Sequence, residues 1–347
     1  ILVIDARSIT RSAAALLTGF SRFDPGVTIS GVILNNVRGE EHIRKATIAI
    51  EHYCGVPVIG AIPRLDTPPL QMRHLGLVPF LEGAPDEEFK TQIDGMVESV
   101  GERIDLPRLL DLADERDIPL YTGDIFRPAE KTDITIGIAR DEAFNFYYPD
   151  LYPVLTANGA DIVFFSPIHD TLPPVDGIII GGGYPEYFGK ELEKNEKMRH
   201  AILQASRSGI PVYGECGGLM YLCNAIRFTR DWNGLHEGDR FQMCGVFPGE
   251  SVIPARRVVR YVIGKSSAIT PFGEDSFRGH AFHYSEVRLP PGSTYGFTLE
   301  RGIGIDGFRD GVVTGNTLGS YTHLHPVSSR RMLARFCTAC RMQKTRA

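Results

Sequence analysis

Short, unbroken apolar runs alternate with helical stretches along this chain, and that alternation restricts the fold more than any other feature of the sequence. A strand apolar on both faces needs cover on both faces, which means a parallel sheet with helices above and below. The first set begins at Ile1–Ile4, followed by a helical stretch from Ser8 to Phe20 and a strand from Ile29 to Leu34. A helix from Glu40 to Tyr53 and a strand from Val56 to Ile59 complete it. The second set has a strand from Ile134 to Ala139, a helix from Tyr148 to Asn158, and strands from Ile162 to Phe165 and Gly177 to Ile180. A helix from Leu192 to Ser206 and a strand from Ile210 to Tyr213 follow. From Phe241 to Thr322, short strand-like pieces with Gly and Pro turns read as a β-rich insertion, and a helix from Val327 to Met342 ends the chain. The expected class is α/β with two doubly wound domains, residues 1–115 and 132–347, joined by a polar linker at 116–131. Ligands on such sheets lie at the carboxyl ends of the strands, which singles out the loops Asp5–Ser8, Asn35–Gly39 and Gly60–Arg64.

Composition excludes several classes. Charged residues make up 23% of the 347 and hydrophobic ones 43%, the balance of a soluble globular protein. A net charge of −5 without a Lys/Arg block argues against nucleic acid as a partner. No apolar run approaches the ~20 residues of a membrane helix. Six cysteines without regular spacing suit a reducing cytoplasm better than a disulfide framework. Cys337 and Cys340 form a C-x-x-C pair, but in a basic helical pattern with no second pair, so no metal site is expected there. The chain opens inside a buried-strand pattern, so a preceding segment is expected.

The segment Ile210-Pro-Val-Tyr-Gly-Glu-Cys-Gly-Gly-Leu-Met-Tyr-Leu reads as strand, sharp turn, helix. It has the form of a nucleophile elbow, with Cys216 in place of serine. Small residues at Gly214 and Gly218 let the chain turn without collision, and the turn lifts the side chain between them above the sheet. The helix N-terminus there favours thiolate, the nucleophilic form. Upstream, Ile178-Ile-Ile-Gly-Gly-Gly-Tyr-Pro-Glu ends a buried strand in three glycines, whose exposed N–H groups can bind an oxyanion. Gly182 or Gly183, together with Gly217, is the expected hole. His323, in Gly319-Ser-Tyr-Thr-His-Leu-His-Pro, is the expected base for the thiol. His280 and His283 form a second cluster whose role is either to shape the pocket and touch substrate or purely structural, while Cys223 and Cys244 read as core.

Taken together, Gly181–Glu186, Gly214–Leu222 and Tyr321–His325 resemble the class I glutamine amidotransferases. Many members carry a Glu two residues after the histidine; here His325 stands there, which narrows the resemblance to the cobyric and cobyrinic acid synthase branch, working with a Cys–His pair. Within it the chain is most similar to the cobyrinic acid a,c-diamide synthase family. The stretches Gly137-Ile-Ala-Arg-Asp-Glu-Ala-Phe-Asn-Phe-Tyr-Tyr, Gly279-His-Ala-Phe-His-Tyr-Ser, Val3-Ile-Asp-Ala, Gly31-Val-Ile-Leu-Asn and Gly60-Ala-Ile-Pro-Arg carry the likeness across essentially the whole chain. It implies a dethiobiotin-synthetase-like P-loop-type domain that uses ATP and Mg²⁺ to phosphorylate two acetate carboxylates of a tetrapyrrole, and a glutaminase domain supplying ammonia from glutamine. The tetrapyrrole is cobyrinic acid or, in the sister enzyme of coenzyme F430 synthesis, nickel-sirohydrochlorin. Asn35 and Pro63 match positions near the adenine in that fold family. Asp141, Asn145 and Tyr147, with His283, are expected near the macrocycle, the alternative for the Asp141 loop being that it packs on its own domain. The family's phosphate loop, G-x-x-x-x-G-K-[ST], occurs nowhere in the chain, so the phosphate cradle is expected outside these residues. A glutaminase-like module without ligase activity and a cysteine hydrolase on the same scaffold remain as alternatives, and the sequence leaves room for a homodimer.

Overall fold

The computed structural model describes residues 1–64, 72–73, 76–77, 87–113 and 126–346. The chain divides into two compact units, one holding the described residues 1–113 and the other the described residues 126–346. Residues 116–125 of the expected linker lie outside the described residues.

In the first unit, strands β1 (Leu2–Asp5), β2 (Val32–Val37) and β3 (Val58–Pro63) form a parallel sheet in that order. Leu2 pairs with Val32 and Val32 with Val58. Helix Arg11–Phe23 buries Ala13, Ala14 and Leu17, and helix Glu40–Cys54 buries Ala46, Ala49 and Ile50, residues spaced three or four apart and hence on one face. Both stripes meet Val32 and Leu34 in one apolar core. The second helix ends at Gly55, whose left-handed φ of 66° lets its N–H reach the Glu51 carbonyl. A two-stranded piece, β4 (Met72–Arg73) with β5 (Gly76–Leu77), and helices Glu87–Gly101 and Leu106–Leu112 follow.

The second unit is built from β6 (Ile134–Ala139), β7 (Phe144–Phe146), β8 (Ala160–Phe165), β9 (Gly177–Ile180), β10 (Gly182–Gly183) and β11 (Val212–Glu215). Strands β12 (Cys223–Phe228), β13 (Arg240–Gln242), β14 (Phe247–Ile253), β15 (Val258–Ser266), β16 (Asp275–His283) and β17 (Glu286–Arg288) come next. The last four are β18 (Tyr295–Arg301), β19 (Arg309–Thr314), β20 (Thr317–Ser320) and β21 (His323–Leu324). Ten of them make one sheet in the order β21-β16-β15-β18-β19-β20-β11-β9-β6-β8. From β20 to β8 every pairing is parallel; from β20 to β21 every pairing is antiparallel. The segment expected as an insertion therefore mostly extends the central sheet, because β20 returns to lie in parallel register on β11, Glu215 opposite Ser320. β12, β13, β14 and β17 form a four-stranded sheet of their own, and β7 pairs with β10 in a two-stranded one.

Ile178, Ile179 and Ile180 of β9 are buried, which fits a strand covered on both faces. Each contributes roughly 1.5–3 kcal/mol of burial. The helix expected over Leu192–Ser206 is two helices, Gly189–Lys194 and Glu196–Arg207. Asn195 separates them: its side chain accepts from the Met198 N–H as an N-cap and donates to the carbonyls of Pro167, Ile168 and Asp170. Helix Leu151–Ala157 is shorter than expected, and helix Arg330–Lys344 packs Phe336, Cys337 and Cys340 into the core.

Candidate active site

Strands β9, β11 and β20 are parallel neighbours, so their carboxyl ends come together. Those ends run directly into Gly181–Gly183, Cys216 and Tyr321–His323. Three segments distant in sequence thus meet because the sheet orders them so.

Cys216 adopts φ 51° and ψ −98°, a region a non-glycine residue enters only under strain. It is held there by its N–H donating to the Ser320 carbonyl at 2.7 Å and by the helix Gly217–Leu222 that starts after it. A Cβ on Gly218 would lie 2.0 Å from the Ile180 carbonyl oxygen, and one on Gly214 would lie 2.9 Å from that of Gly218. The elbow therefore tolerates only glycine on both sides. The thiol is buried, 3.9 Å from the Phe282 carbonyl oxygen.

His323 lies beside it, and its Nδ1 makes a 2.8 Å hydrogen bond to Oε1 of Glu215. With Nδ1 engaged, Nε2 is the nitrogen left for the thiol. Burial opposes charge on this ring, but the charge and hydrogen bonding of Cys216, then of Glu215, outweigh it and hold the imidazole pKa well above its usual value. The arrangement fits a thiolate–imidazolium pair.

The three glycines take their positions from close approach. A Cβ on Gly182 would stand 2.7 Å from Cε1 of His323, and one on Gly183 would stand 2.0 Å from the Ala143 carbonyl oxygen. A Cβ on Gly217 would lie 3.1 Å from the Gly183 nitrogen, so the backbones of Gly183 and Gly217 face each other beside the thiol.

Asp310 fixes the segment that carries His323. Its buried carboxylate accepts from the N–H groups of Tyr321 and Thr322 and from the Thr322 hydroxyl, at 3.2, 3.1 and 2.7 Å. His283 stacks on Tyr321 with ring centroids 3.7 Å apart, and its Nδ1–H donates to the Ser285 carbonyl at 2.8 Å. Its Nε2 has no partner among the described residues, and burial pushes its pKa down to about 4, so the ring is neutral.

Other expected residues lie elsewhere. Asp141 is buried and accepts from the N–H groups of Ala143, Phe144 and Ile168 and from the Ser166 hydroxyl. Asn145 donates to the carbonyls of Asp141 and Glu142. The Tyr147 hydroxyl donates to the Ala139 carbonyl and accepts from the Gly181 N–H. These contacts all hold the loop to its own unit, the alternative raised by the sequence, and tie it to the glycine run. In the first unit Asn35 and Pro63 sit at the carboxyl ends of β2 and β3, with Asp5 at the end of β1. The Asn35 side chain accepts from the Asn36 N–H, and Asp5 is paired with Arg7. His325 is half-exposed, over the Tyr148 ring and 4.0 Å from Asp150. Cys223, Cys244, Cys337 and Cys340 are buried, and burial pushes all four thiols up.

Glu215 was not among the residues expected from sequence. Its signal was present: in a strand, side chains two apart share a face, and Tyr213 and Glu215 do, with the Tyr213 hydroxyl donating to Oε2 at 2.8 Å.

Residues 135–331 match the CobB/CobQ-like glutamine amidotransferase domain, and residues 3–75 match the CobQ/CobB/MinD/ParA nucleotide binding domain. A cobyrinate a,c-diamide synthase of Methanosarcina acetivorans is 48% identical over 96% of this chain and 70% of its own length. That of Methanosarcina barkeri is 45% identical over 98% of this chain and 72% of its own. The Listeria innocua enzyme of the same name is 37% identical over 94% and 71%.

Proposed function

The chain belongs to the cobyrinate a,c-diamide synthase family of glutamine-dependent amidoligases, and we propose that Cys216 releases ammonia from glutamine for ATP-dependent amidation of the a and c acetate carboxylates of cobyrinic acid. The observation that carries the glutaminase half is the convergence of Cys216, on its strained elbow, with His323 and the facing backbones of Gly183 and Gly217. The Cys216 thiolate attacks the side-chain carbonyl carbon of glutamine, and the carbonyl π electrons move to oxygen. The N–H groups of Gly183 and Gly217, with Gly182 alongside, are the donors proposed for that oxyanion. His323 gives its Nε2 proton to the amide nitrogen, the C–N bond breaks, and ammonia leaves a γ-glutamyl thioester. His323 then takes a proton from water, the hydroxide attacks the thioester, and glutamate departs with the thiolate restored.

A carboxylate is a poor acyl donor because its oxygen is a poor leaving group. Transfer of the ATP γ-phosphoryl to that oxygen makes an acyl phosphate; ammonia attacks the carbonyl carbon and inorganic phosphate leaves. The matched nucleotide-binding residues, with Asn35 and Pro63 at adjoining strand ends, support a base-binding wall there. Among the described residues no three metal-ligating side chains converge, so no residue of this chain is assigned to Mg²⁺.

The test is incubation of the enzyme with glutamine, ATP, Mg²⁺ and either cobyrinic acid or nickel-sirohydrochlorin, read by mass spectrometry. Two successive amidations of cobyrinic acid, each requiring ATP, are expected. Amidation of nickel-sirohydrochlorin alone would contradict the substrate assigned. Glutamine hydrolysis with no amidated product would contradict the ligase half.

A further inference from the structure

The position two residues after His323, where many class I glutamine amidotransferases carry a Glu, holds the half-exposed His325 in this chain. Another carboxylate reaches the histidine instead. We propose that Glu215, the residue immediately before the nucleophile, is the positioning acid of the site, so that Glu215, His323 and Cys216 act as a triad with two members on one elbow. The proposal rests on the glutaminase reading and deepens it.

The carboxylate is only 12% exposed, and both oxygens are used. Oε1 accepts from Nδ1 of His323 at 2.8 Å. Oε2 accepts from the Tyr213 hydroxyl at 2.8 Å and from the Leu324 N–H at 3.0 Å. Tyr213 and Leu324 therefore fix the carboxylate plane, and the carboxylate fixes both the orientation and the tautomer of the imidazole. An acceptor at Nδ1 requires the proton to sit there, which leaves Nε2 free to take the thiol proton. The negative charge also stabilises the imidazolium that results. His325 does neither, because its ring lies against Tyr148.

Glu215→Gln is a sharp probe because its two ends are not equivalent here. Two donors point at the Oε2 position, so the amide oxygen belongs there and the NH₂ group faces Nδ1. That reverses the hydrogen bond, places the imidazole proton on Nε2 and removes the charge. We expect kcat for glutamine hydrolysis to fall by roughly 10²–10⁴-fold, with KM little changed and the alkaline limb of the pH profile moved to lower pH. Tyr213→Phe keeps the carboxylate and removes one of its anchors, so it should retain the wild-type alkaline limb with a smaller loss of kcat. The His323 pKa, followed by NMR of labelled histidine in the whole protein, should drop in Glu215→Gln and stay near wild type in Tyr213→Phe. This readout needs no glutaminase activity, so the proposal can be judged even if glutamine is not the substrate. An unmoved His323 titration in folded Glu215→Gln, or wild-type kcat in that variant, would overturn it.

Discussion

The imidazole of His280 lies parallel to that of His323, the ring centroids 4.8 Å apart and the planes 12° from coplanar. The contact follows from register, since β16 and β21 are antiparallel and pair His280 directly with His323. Burial and the charge on His323 both lower the His280 pKa, with Glu215 opposing them. Two cationic rings cannot share this stack at low cost. The neutral state of His280 is therefore a condition for the imidazolium state of His323.

That condition makes His280 a contributor to the acid side of the activity profile. As pH falls through the lowered pKa of His280, a charge appears against His323 and opposes the ion pair with Cys216. The groups facing His280 are His323, Glu215 and the ring of Tyr148, beyond which lie His325 and Asp150. In His280→Phe, which keeps a stacking ring without a titrating one, the acid limb of kcat/KM should extend to lower pH. An unchanged acid limb in a folded variant would remove His280 from the account.

Gly182 should not tolerate even a methyl group. A Cβ there would meet Cε1 of His323 at 2.7 Å, and the same ring is tied to Glu215 and stacked on His280, so it has to leave the position those contacts set. Displacements of about 1 Å cost on the order of 10²-fold in rate. Gly182→Ala should lose glutamine hydrolysis by about that factor while its circular dichroism and melting temperature stay close to wild type. Full activity would show that the ring is not confined as described.

His283 ties stability to pH. Its folded pKa is about 4, below the ~6.5 of an unfolded histidine. A histidine with a depressed folded value contributes stability above its unfolded pKa and loses it as pH falls towards the folded one. The window is therefore about pH 6.5 down to about 4, and the contribution is on the order of 3 kcal/mol. His283→Asn keeps an N–H for the Ser285 carbonyl and removes the titration. Urea unfolding across that window should show a shallower loss in the variant; parallel curves would exclude His283 as the linked group.

The elbow, the glycine run and the histidine were legible because each carries its chemistry in adjacent residues: a strand, a tight turn and a reactive side chain. The two parallel-sheet units were legible because fully buried strands are apolar without interruption, as at Ile178–Ile180. What pairing across the sheet decides was not legible. Glu215 acts on a residue more than one hundred positions away, and only the parallel register of β11 on β20 brings them together. For the same reason the strands within Phe241–Thr322 read as an insertion: each is short, and none announces which edge it extends. The break at Asn195 was hidden because the apolar spacing continues through it, while the side chain that ends one helix and caps the next makes contacts remote in sequence. The Asp141 loop drew attention as a possible macrocycle contact because its polar atoms are conspicuous in sequence; their partners are Ser166, Ile168 and nearby backbone groups.

Glutamine cleavage at the Cys216 thiol requires a covalent γ-glutamyl intermediate on that sulfur. The most direct measurement is mass spectrometry of the enzyme quenched in acid during turnover of glutamine, with peptide mapping of the adduct. We expect a γ-glutamyl thioester on the peptide containing Cys216, and neither adduct nor ammonia release in Cys216→Ala. Ammonia release that persists in Cys216→Ala, or an adduct on another cysteine, would contradict it.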